Sequence, residues 1–171
     1  MKIRLSRFIL ALVCLLVGGV IVNSCGRLET PEPPSQVGQG LVEKLTLDEL
    51  TAKAGSILIG EVTNIACYKE AEGNIYTLVT FSVEQTIKGE IEDEVVIRTP
   101  GGELNGQTLW VEDVPTFQLR ERAVVFLEES EGVFSVVGGF QGKFSIDENN
   151  VVGGNIPLSE FIDQIREIVT K

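Results

Sequence analysis

Between residues 56 and 152 the apolar side chains recur at every second position, in short runs cut by glycine, and no stretch of helical period intervenes. A chain patterned this way can bury its apolar faces only by pairing strand with strand, which predicts an antiparallel barrel or sandwich. The first run, 56–68, is β-branched and aliphatic. After a loop at 69–74 that contains Gly73 and two acids, Tyr76, Leu78 and Thr80 alternate with Val79, Phe81 and Val83, and Ile87 continues the pattern. Further strands are expected over 94–99, 107–112, 122–128, 132–138, 142–147 and near 151. Gly101-Gly102, Gly106, Gly132, Gly138-Gly139 and Asn149-Asn150 occupy the intervening turns.

Helical signals flank this region. Thr46-Leu47-Asp48-Glu49 has the form of a capping box, in which the Thr hydroxyl and the Glu carboxylate each satisfy a backbone N–H of the first turn. A short helix over 47–54 follows, with Leu47, Leu50 and Ala54 on one face and Gly55 placed to end it. Pro157 suits the start of a C-terminal helix, whose Leu158, Phe161, Ile162, Ile165, Ile168 and Val169 form one apolar stripe. Large apolar side chains contribute roughly 1.5–3 kcal/mol each when fully buried, so this stripe is expected to dock on the strands. Its alternative is an exposed helix that awaits a partner.

The N-terminus reads as an address. Lys2, Arg4 and Arg7 precede an apolar run from 8 to 22, the pattern of an export signal over 1–24. The run is shorter than the roughly 20 residues a membrane-crossing helix needs. Val22-Asn23-Ser24-Cys25 resembles the bacterial lipobox, which implies that Cys25 becomes the acylated first residue of an exported, membrane-anchored protein. The alternative is an ordinary cut followed by a free or disulfide-bonded Cys25. Residues 26–40, with Pro31, Pro33 and Pro34, lack the apolar content to order themselves and read as a spacer, so 25–40 is attachment and linker and 41–171 the folded domain. Beyond residue 24 only 11 Lys and Arg face 25 acids, a net charge of −14 that repels anionic head groups and leaves anchoring to the lipid.

The same inventory excludes whole chemistries. With no histidine in the sequence, His-assisted Ser or Cys nucleophiles and His-ligated metals are excluded. The acidic balance opposes nucleic acid, whose affinity comes from Lys and Arg on phosphates. Residues 138–143 fail the phosphate-loop pattern, because Val137 stands where its first Gly belongs and Phe144 follows Lys143. The acids Glu90, Glu92, Asp93 and Glu94, and Glu128, Glu129 and Glu131, read as solvated hairpin loops; calcium binding or a glycosidase pair would need a fixed constellation that these spacings do not show. Neither a metal nor another cofactor is expected. Cys67 reads as a buried or half-buried thiol, with a disulfide to Cys25 as its alternative. Trp110, with Tyr76 and Tyr68, could line a ligand face, against a place in the core or on a hairpin rim.

Residues 54–62 (AGSILIGEV), 76–83 (YTLVTFSV) and Ile87-Lys88-Gly89 together resemble the opening of netrin-like and tissue-metalloproteinase-inhibitor domains, which are five-stranded OB-type barrels. A nearer likeness is to a group of exported bacterial domains that share this opening. It extends through Thr99-Pro100-Gly101-Gly102, Pro115-Thr116-Phe117, the strand at 121–127 (ERAVVFL) and the segment 138–144 (GGFQGKF). Arg120 stands where that pattern has a glycine, which implies a different turn there. The resemblance implies a small OB-like β-barrel with a short N-terminal helix and a C-terminal helix packed on it. It implies no activity, since its positions are turn glycines and core aliphatics. The metalloproteinase inhibitors chelate zinc through an N-terminal cysteine pinned by disulfides; the long linker and the lack of paired cysteines argue against carrying that role to Cys25.

The expected function is therefore that of a non-enzymatic, lipid-anchored envelope protein whose barrel binds a protein or an extracellular polymer such as polysaccharide. Pro115 and Phe117, in the loop from Glu112 to Arg120, and Trp110, in the strand expected over 107–112, are the candidate contact residues, with the turn from Gly101 to Gly106 beside them, and no catalytic residue is assigned. A membrane-tethered inhibitor of a secreted protease and a carboxylate-dependent hydrolase of surface polysaccharide are the alternatives. Mass spectrometry of the N-terminal peptide from fractionated cells is expected to find acylated Cys25 in the membrane fraction. An unmodified Cys25 disulfide-bonded to Cys67 would contradict the anchor.

Overall fold

The computed structural model describes residues 43–91 and 93–171, so the export signal, Cys25 and the linker lie outside the described residues. The described part is mainly β. It contains helix α1 (Leu47–Lys53), long strands β1 (Ser56–Lys69) and β2 (Ile75–Lys88), then β3 (Glu94–Pro100), β4 (Gly102–Leu104) and β5 (Gln107–Leu109). After an irregular loop come β6 (Arg122–Ser130), β7 (Val133–Val136), a 3-10 turn (Gly139–Gly142), β8 (Lys143–Ile146), β9 (Val151–Val152), β10 (Ile156–Pro157) and helix α2 (Leu158–Val169).

Both expected helices form for the expected reasons. The Thr46 hydroxyl accepts from the Glu49 amide at 3.3 Å while the Glu49 carboxylate accepts from the Thr46 amide at 2.8 Å, so the capping box is complete. Pro157 stands at the cap of α2. The apolar stripe of α2 docks only in part: Phe161, Ile162 and Ile165 are buried, whereas Ile168 is half-buried and Val169 is 40 % exposed. The last turn thus runs past the surface that covers the first two.

Strand β1 carries the topology. It pairs antiparallel with β2 along its length, from Ile57 opposite Lys88 to Lys69 opposite Ile75. On its other edge the first half, Ser56 to Glu61, pairs with Leu127 to Arg122 of β6. Strand β2 pairs with β3, β3 touches β7 in parallel at Ile97 and Phe134, and β7 pairs back to β6. The pairings therefore lead from β1 through β2, β3, β7 and β6 to β1 again. Strands β8, β9 and β10 extend the sheet from β6.

Two cores flank these strands. Ile57 and Ile59 of β1 and Val124 and Phe126 of β6 face the helices, where they meet Leu50, Phe161 and Ile165. Leu58 and Val62 of β1 and Ala123, Val125 and Leu127 of β6 face the opposite core with Val79, Phe81, Val95 and Ile97. Burial on both faces explains why 57–59 and 123–127 are continuous apolar runs where a half-solvated strand would alternate. Register shifts at Ile59/Gly60 and Val62/Asn64 bend β1 between its two partners. Gly60 is required there, because a Cβ would run into the Ser82 carbonyl and the Phe81 ring.

Three local expectations need correction. The strand expected over 107–112 ends at Leu109, and the Gly101-Gly102 turn leads into an added strand, β4. Asn105 (φ 52°) and Gly106 (φ 75°) are both left-handed, which makes β4 and β5 a two-residue hairpin. Arg120 does not reshape its turn: with φ 66° it holds the backbone conformation that glycine would adopt. A non-glycine residue in that conformation costs about 1–2 kcal/mol. Arg120→Gly is therefore expected to raise stability by up to about 1 kcal/mol after glycine's greater unfolded-state entropy is subtracted. Urea denaturation checks this, and a lower midpoint for the variant would contradict it.

Candidate binding groove

Beyond Val62, β1 leaves β6 and continues with β2 alone, and the space beside it is filled by chain that does not pair with the large sheet. The hairpin β4–β5 and the loop 110–117 fold back over Ile65 and Cys67 of β1, Thr77 and Val79 of β2 and Thr99 and Pro100 of β3. Between them lies an apolar cavity of about 330 Å³. Close approach of the hairpin depends on Gly102, since a Cβ there would come within 2.8 Å of the Cys67 sulfur.

All three sequence-selected contact residues line this cavity. Pro115 is buried, Phe117 is half-buried and packs against the β1–β6 core, and Trp110 is 78 % exposed at the mouth. Trp110 therefore belongs to the rim and not to the core. Tyr68 and Tyr76 do not join it: they stack on each other at 5.7 Å between ring centres, with the Arg98 guanidinium 4.8 Å over Tyr76. The ionisable side chains lining the cavity are Glu103 and the half-buried, free thiol of Cys67. Cys67 lies 3.4 Å from the Thr77 hydroxyl, which donates to the Gly101 carbonyl at 2.8 Å.

The loop that presents Pro115 and Phe117 is held by a polar anchor that composition and periodicity did not reveal. Lys143 of β8 donates to the Thr116 carbonyl at 2.6 Å, pairs with Glu121 and lies 4.9 Å over the Phe117 ring. Glu121 also accepts from Ser145 at 2.6 Å and from the Gln118 amide at 2.9 Å. Burial alone would push the Glu121 carboxyl up. The hydrogen bonds from Lys143, Ser145 and Gln118 outweigh it and hold the group below its ordinary 4.5. At the other end of the loop the Asp113 carbonyl accepts from the Phe140 amide at 3.1 Å. The signal for this anchor was the pair of segments 121–127 and 138–144, which carry Glu121 and Lys143 and which the resemblance singles out together.

A second apolar depression, about 690 Å³, lies between α1, the 3-10 turn and α2, lined by Leu45, Leu50, Phe140, Phe144 and Phe161 among others. It contains none of the sequence-selected residues. Among the described residues no three Cys, Asp or Glu side chains are grouped to hold a metal, and no helix is long and apolar enough to cross a membrane. Comparison with protein-family models, curated proteins and solved structures finds no match to this chain.

The Glu121 anchor has a signed pH dependence. A carboxyl lowered in the folded state stabilises above its unfolded value, and that contribution is lost as pH falls through the lowered folded value. The stability gap between the wild type and Glu121→Gln is therefore expected to be full above 4.5 and to shrink below it, as thermal melts across acid pH would show. A gap independent of pH would contradict the anchor.

Proposed function

We propose that this chain is an exported, lipid-anchored envelope protein without catalytic activity, whose OB-type barrel binds a protein or an extracellular polymer through the groove at Trp110, Pro115 and Phe117. One observation carries the reading. Three side chains chosen from the sequence converge on one apolar cavity, with Trp110, the most exposed large apolar side chain among the described residues, at its mouth. Aromatic side chains beside a water-excluding pocket are the usual anchors of an interface, and an indole left 78 % in water is otherwise unfavourable.

The barrel assignment is supported by the pairings that return to β1, with one parallel contact between β3 and β7 among antiparallel ones. Closing five strands in this way fits the OB type, whose loops commonly carry binding surfaces. The anchor rests on the lipobox likeness at Cys25, and the absence of catalysis rests on the composition and on a groove lined by a lone carboxylate and a thiol.

Photo-crosslinking in intact cells tests the site directly. A photoreactive residue at position 110 is expected to give discrete or smeared adducts according to whether the partner is a protein or a polymer, while the same residue at exposed Glu167 gives none. Equal labelling from both positions, or none from position 110, would contradict the reading.

A further inference from the structure

We infer that the groove receives an extended segment of another polypeptide, which inserts one large apolar side chain into the cavity and sets lysine or arginine residues at its mouth. This rests on the reading of the groove as the partner site and specifies the chemistry of its occupant.

The cavity selects against sugar. Of the buried and half-buried polar side chains lining it, the Thr77 hydroxyl is spent on the Gly101 carbonyl at 2.8 Å, the Thr99 hydroxyl faces the Thr77 carbonyl at 3.5 Å, and Cys67 lies against Thr77, while Glu103, Thr108 and Thr116 are exposed at its rim. A sugar ring entering here would lose water from its hydroxyls and find few partners, which costs free energy for each hydroxyl left unpaired. An aliphatic or aromatic side chain loses only unfavourable hydration, and about 330 Å³ has room for one such side chain.

Charge defines the flanks. From Thr99 to Leu119 the chain contains Glu103, Glu112 and Asp113 and neither Lys nor Arg. None of these three acids is in an ion pair among the described residues. Of the nearby cations, Lys143 pairs with Glu121, whereas Lys69 donates to the neutral Gln107 amide at 3.0 Å and keeps its charge. Glu103 lines the cavity and Glu112 and Asp113 lie in the chain between its lining residues Val111 and Val114, so acids outnumber free cations around an apolar hole. Backbone geometry favours an extended occupant, because β5 pairs only with β4 and its three residues are exposed, which leaves an open strand edge beside Trp110.

Panning a phage-displayed library of short random peptides on the full chain in detergent micelles tests this. Enriched peptides, resynthesised without tryptophan, are then titrated while the emission of Trp110, the one tryptophan in the sequence, is followed. Expected are peptides that pair one large apolar residue with flanking Lys or Arg and shift Trp110 emission to shorter wavelength. Replacing that apolar residue with Ser should weaken binding at least about tenfold. Combined Glu103→Gln, Glu112→Gln and Asp113→Asn substitution, or added salt, should weaken it as well. Enrichment without this pattern, or binding indifferent to the substitutions, would overturn the inference. A chitin-derived oligosaccharide that moves the emission where peptides do not would overturn the polypeptide occupant and leave the groove as a partner site. No response to either probe, together with no adduct from position 110, would overturn both.

Discussion

The double pairing of β1 is the constraint on which the rest of the molecule depends. Over Ile57 to Glu61 this strand has β2 on one edge and β6 on the other, so its backbone groups are satisfied on both sides. Both of its faces are also buried, Ile57 and Ile59 toward the helices and Leu58 and Val62 toward the inner core. Its partner β6 does the same, and at the end of β7 Val136 and Val137 add one side chain to each core. Beyond Val62, where the register shift at Val62/Asn64 falls and pairing with β6 has ended, the far half of β1 runs on with β2 alone beside the groove.

What fills that space is chain that does not pair with the large sheet, so its order comes from side-chain anchors and a few backbone hydrogen bonds. Lys143 and Glu121 tie the loop carrying Pro115 and Phe117 to β8, and the Arg120 amide donates to the Val62 carbonyl at 2.8 Å, fixing the loop's end to β1. The result is a wall formed before any ligand arrives, with Phe117 clamped between the core and Lys143 while Trp110 stands in water. Preorganisation of this kind reduces the ordering cost of binding. It also places the uncompensated acids Glu112 and Asp113 on a segment that cannot retreat freely, since the Asp113 carbonyl is held by the Phe140 amide.

Much of this was legible in the sequence where a pattern had length. The long strands β1, β2, β3 and β6 and both helices fall within a residue or two of their expected bounds, because period two over many residues, a capping box and a Pro-led apolar stripe are strong local signals. Strand β5 was expected but drawn too long, and β4 was missed because its three residues are too few to show a period, although Asn105-Gly106 is a strong hairpin dipeptide. Loop aromatics and a proline pointed to the groove. The anchor did not appear, because Lys143 and Glu121 are 22 residues apart and nothing in the local pattern couples them; the β6–β8 pairing brings them together.

Native-state hydrogen exchange tests the dependence on β1 most directly. If β1 and its two partners form one cooperative unit, amides of Ile57 to Val62 and Ala123 to Leu127 should exchange only through global unfolding, at the same free energy as the inner residues of β2. Exchange of the β6 amides at a distinctly lower free energy, with the β1–β2 hairpin still protected, would show that β6 opens independently and would contradict the account.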